Sequence, residues 1–244
     1  MKNIRFLIYV LLHLSHQSAF ATEMPWNIWK KNSSQSVSYR PITVNSKELL
    51  EIKATARVNS SLSGFIHFID DVTNTPNWLV NASESKIINR YSTTENSFYI
   101  KLTKIWPLKS RILILHSTYW QNKDLSIEIK LTDEDSAFTE DSILLTSINV
   151  DDYLKVKTHS AYWKITPVPI KIQIDNKDEY TNSPEIFIEY TFIADGRGDT
   201  PKWLADHFSL KSIWKSMRNL KRQLPEEKWQ QQSIKGITEL SEIP

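Results

Sequence analysis

In 244 residues the chain has four glycines and no cysteine. That composition excludes glycine-built phosphate loops, disulfide staples, a thiol nucleophile and cysteine-ligated zinc. Its 30 basic and 28 acidic residues nearly cancel, and two of the basic ones, Lys2 and Arg5, fall in the first 21 residues; the balanced remainder carries no basic stripe, which excludes nucleic acid as a partner on charge.

In chain order, residues 1–21 have the make-up of a secretory leader. Lys2 and Arg5 form its positive end, and Phe6–Leu14 is an apolar run broken only by His13. Ala19-Phe20-Ala21 then supplies the small residues for cleavage before Thr22. The run is too short to span a bilayer, which takes roughly 20 residues. No cysteine stands at the cleavage point, so a bacterial lipoprotein anchor is not expected. The expected location is periplasmic or secreted.

Beyond the leader, Gln35–Val44 reads as a strand. Leu50, Ile52, Ala54, Ala56 and Val58 then alternate with Glu51, Lys53, Thr55 and Arg57, the pattern of a half-buried antiparallel strand. Ser60–Asp71 sets Leu62, Phe65, Ile66 and Ile69 on one helical face, with serines available as caps. Asn74-Thr75-Pro76 stops that helix and starts a short second one, with Thr75 as cap and Pro76 in the first helical position. A run of strands is expected over Phe98–Lys104, Arg111–Trp120, Leu125–Leu131, Ile143–Val150, Tyr153–Thr158, Ala161–Thr166, Ile170–Ile174 and Pro184–Ala194. Thr200-Pro201 repeats the cap-and-proline device ahead of a third helix, whose stripe is Leu210, Ile213, Met217, Leu220 and Leu224 with Trp214 at its edge. Pro225 closes it, and the polar residues 225–244 are expected to be a loose tail. Strands, a helical pair, a long antiparallel run and one terminal helix make a single α+β domain over residues 22–224.

Several segments, in this order and spacing, resemble the START domain, the lipid-transfer module related to the steroidogenic acute regulatory protein. They are Asn77-Trp78-Leu79, Ser85–Arg90, Ser97–Lys101, Ile105–Arg111, Ser160–Pro167, Ala194–Gly198 and Pro201–Asp206, together covering roughly residues 26–224. One departure stands out: in the family the residue after the arginine matching Arg111 is usually Asp, and here it is Ile112. The resemblance implies a helix-grip fold, a curved antiparallel sheet around a long C-terminal helix. It also implies a hydrophobic cavity between the two, with the helix and nearby loops moving as a lid. The polar cavity groups of steroid or phosphocholine binders find no counterpart, because the strand continues Leu113, Ile114, Leu115, His116, Ser117.

Alternation on the strand from Arg111 gives two faces. Arg111, Leu113, Leu115, Ser117 and Tyr119 are taken to line the cavity, with Ser117 and Tyr119 placed to orient a headgroup; Ile112, Ile114, His116 and Thr118 face away. On the strand ending at Ala194, the apolar face holds Ile186, Ile188, Tyr190 and Phe192, of which Ile188, Tyr190 and Phe192 are candidate ligand contacts. The helix stripe adds Leu210, Ile213, Trp214 and Met217. Trp203 is read as packing. His67, His116, His159 and His207 show no metal-pair spacing, so neither a metal nor a cofactor is expected.

The function expected from these features is an exported lipid carrier or sensor without chemistry of its own, a monomer that binds a lipid or other hydrophobic small molecule and touches membranes transiently. An enzyme of the wider helix-grip group is the alternative; it would need ionisable residues converging inside, with Arg111, His116 and Glu189 the ones to test. A protein-interaction module would instead use exposed aromatics such as Trp120 in Trp120-Gln-Asn-Lys.

Overall fold

The computed structural model describes residues 24–103, 109–134, 153–174 and 177–242. Among them, ten strands form one curved sheet that is not closed into a barrel. The strands are β1 (Asn27–Lys31), β2 (Gln35–Val44), β3 (Lys47–Asn59), β4 (Ala82–Arg90), β5 (Glu95–Leu102), β6 (Arg111–Gln121), β7 (Ile127–Asp133), β8 (Leu154–Lys155), β9 (Lys157–Ile174) and β10 (Lys177–Asp195). Their order across the sheet is β1-β2-β3-β10-β9-β7-β6-β5-β4, with the short β8 parallel to the start of β6. The expected strand Ile143–Val150 lies outside the described residues. The three strands expected between Tyr153 and Ile174 are the short β8 and one long β9, which runs back along β10 from Lys157↔Asp195 to Ile174↔Lys177.

Three helices matter to the inner face. Helix α1 (Leu62–Asp70) is capped by Ser61, whose hydroxyl accepts from the Gly64 amide. Helix α2 is Thr75–Trp78, and helix α3 is Lys202–Gln223. Both proline starts lie one residue away from expectation. Thr75 is already helical behind Asn74, and Pro201 itself occupies the cap position of α3 without a side-chain cap. The Thr200 hydroxyl is drawn instead to the Arg111 guanidinium, at 3.5 Å.

The core follows the alternation. Ile52, Ala54, Ala56 and Val58 of β3 join Ile186 and Ile188 of β10, Trp163 and Ile165 of β9, and Ile127 and Ile129 of β7 on one face. Phe65 and Phe68 of α1 and Leu210, Ile213, Met217 and Leu220 of α3 close over them. The opposite face is wet and charged, with cross-strand pairs such as Arg57–Glu185 at 3.2 Å, and among the described residues it holds a small cluster of Tyr99, Ile112 and Ile114.

Residues 225–242, expected to be loose, are folded against this core. A short helix α4 (Glu227–Gln230) buries Trp229 edge-on against Phe68, with ring centroids 5.3 Å apart. The Gln230 side chain accepts from the Ser61 amide at 2.9 Å and donates to the Leu224 carbonyl at 2.7 Å. It lies so close to α1 that a side chain at Gly64 would meet it at 2.5 Å. Polar composition misled here because Gln230 and Glu239 use their side chains for hydrogen bonds to the domain while Trp229 is buried.

Candidate functional site

A cavity of about 680 Å³ lies between the sheet and the N-terminal half of α3. Its wall is built where strand ends meet: Leu49 to Ile52 of β3, Phe98 to Leu102 of β5, Arg111 to Leu115 of β6, Thr158 to Trp163 of β9 and Tyr190 to Asp195 of β10 contribute inward residues. Trp78 and Leu79 close it from the helical pair. Helix α3 explains why space remains. None of residues 202–209 is buried, whereas Leu210, Ile213, Met217 and Leu220 are. The helix faces the cavity with the small Ala205, Ser209 and Ser212 alongside Phe208 and Ile213. Small side chains over the sheet leave a gap, and large ones further along close it.

The interior is apolar and aromatic. Trp163 stacks on Tyr190 at 4.1 Å, Tyr190 on Phe192 at 5.2 Å, and Trp78 meets Trp163 edge-on at 6.3 Å. Burial pushes the Tyr190 phenol well above its ordinary pKa, so its hydroxyl stays neutral. Two buried wall groups, Trp78 Nε1 and Thr158 Oγ1, have no hydrogen-bond partner among the described residues.

The ionisable wall residues lie on the segments at one end, the mouth: Lys47, Glu48, Lys109, Arg111, Asp195, Arg197, Lys202 and Asp206. Lys47 pairs with Asp195 at 2.7 Å, and Lys202 with Asp206 at 2.6 Å and Glu48 at 3.4 Å. Burial alone would raise the Asp195 carboxyl; hydrogen bonds from Lys47 and the Arg197 amide outweigh it and hold the group below its usual value. The Arg111 guanidinium donates to the carbonyls of Gly196 and Lys109, each at 2.9 Å, and more distantly to that of Arg197 at 3.4 Å. It thereby clamps the loop leading into α3. Gly198 in that loop has φ +79°, a left-handed conformation that favours glycine, and a side chain there would displace the terminal methyl of Leu154 at 2.7 Å.

Of the candidate contacts, Leu113, Leu115, Tyr190, Phe192 and Ile213 are on the cavity wall. Ser117 and Tyr119 are not. They share the inward face of β6, but Arg111 to Tyr119 spans about 26 Å of strand, and the far end lies in a minor crevice with Ile66 and Ile69 of α1. Ile188, Leu210, Trp214 and Met217 are also off the wall. All four are buried in the core, and Trp214 packs edge-on against Trp29 of β1 at 6.4 Å. Trp203, read as packing, is 71% exposed beside Lys202. Arg111, also taken to line the cavity, stands at its mouth; the residues missed by sequence reasoning are the other mouth residues and the small residues of α3. Thr158 and Leu102 could have been found from strand alternation; Lys47, Lys109 and Ser212 had no local signal.

The three ionisable residues to test for an enzyme do not converge. Arg111 is at the mouth, Glu189 faces outward near Lys53 at 3.9 Å, and His116 lies on the outer face between Glu95 at 2.9 Å and Glu134 at 3.1 Å. Trp120 is partly exposed at the end of β6. Among the described residues, no group of His, Asp and Glu is placed to hold a metal ion, and no helix is long and apolar enough to cross a membrane.

No family model and no curated protein sequence matches the chain. Solved structures do. The STAR-related lipid transfer protein of Xanthomonas axonopodis superposes with a TM-score of 0.61 at 18% identity, over 82% of this chain and 99% of that one. Human STARD10 gives 0.63 at 17% identity, over 84% and 76%, and human StAR-related lipid transfer protein 5 gives 0.60 at 15%, over 81% and 85%. Superposition over most of each chain at such low identity shows the fold, a curved antiparallel sheet with a C-terminal helix, and in fold the chain is a START-like domain.

Proposed function

We propose that this protein is an exported lipid-binding protein that holds one hydrophobic ligand between its sheet and α3, as a carrier or sensor. The observation that carries the reading is the 680 Å³ apolar cavity with a single charged end. Its volume is that of a small-molecule site, which ranges over roughly 300–1,000 Å³. Enclosing an acyl chain there contributes about 0.8 kcal/mol per methylene, so a long chain is held with few polar contacts. The lipid-transfer proteins of the same fold support the assignment. Export rests on the leader sequence alone.

Mass spectrometry of the natively purified protein and of its organic extract tests this directly. A stoichiometric lipid is expected. Leu113→Trp, which extends an indole into the cavity, should abolish that lipid while leaving the protein folded. An unaltered lipid load in this variant would count against the cavity as the site. Exposed Trp203, beside the mouth on the first turn of α3, is suited to the bilayer interface, where tryptophan concentrates. Trp203→Ser should slow delivery to vesicles without changing the amount of lipid held; equal rates would remove this role.

A further inference from the structure

We infer that the ligand is a single-chain amphiphile with an anionic head, and that the head sits at the Arg111 mouth with the chain running toward the aromatic wall. This rests on the lipid-binding reading and deepens it. Five cations and three carboxylates line the cavity, all at one end. The carboxylates are taken up by Lys47 and Lys202. Lys109, Arg111 and Arg197 then have no carboxylate at ion-pair distance among the described residues.

Arg111 is the informative one of the three. It is half-buried, its hydrogen bonds go to backbone carbonyls and one hydroxyl, and these dipoles orient the guanidinium without neutralising it. Burial accordingly acts against its charge. An anion arriving at the mouth relieves that cost, and desolvation by the chain below it strengthens the attraction. The N-terminus of α3 opens at the same place with no acidic residue in its first turn and no side-chain cap, so its dipole adds to the positive field. Trp78 Nε1 and Thr158 Oγ1 are uncharged and suit at most an oxygen of the ligand. They do not compete with the mouth for a charged head.

Size bears on the number of chains. At about 680 Å³ the cavity falls inside the range of sites that hold one small molecule, roughly 300–1,000 Å³. A sixteen-carbon acid or alkyl phosphate suits such a site; a two-chain glycerophospholipid is more than twice as large as either.

The test is titration calorimetry of the delipidated full chain at low salt with hexadecanoate, hexadecyl phosphate, methyl hexadecanoate and phosphatidylglycerol. At least one of the two single-chain anions should bind about tenfold or more tighter than the uncharged ester, the scale of one charge-assisted contact. Which of the two leads identifies carboxylate or phosphate as the head. Added salt should narrow the gap, and so should Arg111→Gln. Since Arg111 also clamps the loop, Lys109→Gln with Arg197→Gln provides a second variant that leaves the clamp in place. Lys130→Gln on the outer face should keep the full preference. Equal affinity for acid and ester overturns the anionic head while leaving lipid binding intact. One-to-one phosphatidylglycerol that hexadecanoate cannot displace overturns the single chain. Failure to bind any of the four, with no lipid in the native extract, removes the lipid-binding reading itself.

Discussion

Glu84 of β4 is held from both sides by its neighbour strand. Lys101 Nζ reaches one carboxylate oxygen at 2.8 Å, the buried Tyr99 hydroxyl donates to the other, and Lys86 approaches at 3.0 Å. Its pKa falls from 4.5 to about 2, with the Lys101 hydrogen bond the largest cause and Tyr99 next. Such a carboxyl stabilises the fold fully above pH 4.5, and the contribution disappears as the pH falls toward about 2. Its side chain is 33% exposed, so solvent screening keeps the effect small. Glu84→Gln should therefore have a lower urea midpoint than the parent at neutral pH, with the difference closing across that acid window. A difference that persisted unchanged through the window would mean that the carboxylate charge is not what stabilises the native state. The Tyr99 phenol is raised in turn, first by burial and then by Glu84, so it remains the donor at any pH the fold survives.

At the level of elements, residues 225–242 are a strap rather than a tail. Glu239 accepts from the Leu62 and Ser63 amides at 3.0 and 2.8 Å, placing a carboxylate on two first-turn amides of α1 that the Ser61 cap does not reach. Gln121 exchanges two hydrogen bonds with Thr238, both at 2.8 Å. Trp229→Ala should destabilise by about 3–5 kcal/mol, as for other large buried aromatics, and Glu239→Ala by about 0.5–2 kcal/mol, the range of a lost cap. Chemical denaturation checks both, and a null effect at Trp229 would show that the strap is not part of the cooperative unit. None of this was legible locally. Trp229, Ile234 and Ile237 pack on the core without any period, and the partners of Gln230 and Glu239 at the start of α1 lie more than 160 residues away. By contrast β2 and the alternation of β3 were readable because one wet and one dry face imprint a period of two. The edge strands β1 and β4 bury little and carry no such imprint. On β6 the face was readable and the cavity's extent was not, because α1 decides where the gap ends, and α1 is remote in sequence.

For the molecule as a whole, the grip is asymmetric. Beyond Leu210, helix α3 is fixed by buried side chains, by Gln35 donating to the Trp214 carbonyl at 3.2 Å and by Gln223 donating to the Asn77 carbonyl at 2.7 Å. The strap holds the same end through Gln230 and Leu224. Residues 202–209 have none of this; they rest on small side chains over the cavity and on ion pairs of Lys202 that salt screens. Segments with few buried contacts open at lower free energy than the core does. Hydrogen exchange should therefore be fast in the first two turns of α3 and slow from Leu210 onward in the delipidated protein. Ligand should slow the first region selectively, because the chain supplies the missing packing beneath it and the anionic head meets the mouth. Uniform protection along the whole helix, with or without lipid, would mean that entry does not proceed by release of its N-terminal half. The route would then have to run through the loops at the strand ends instead.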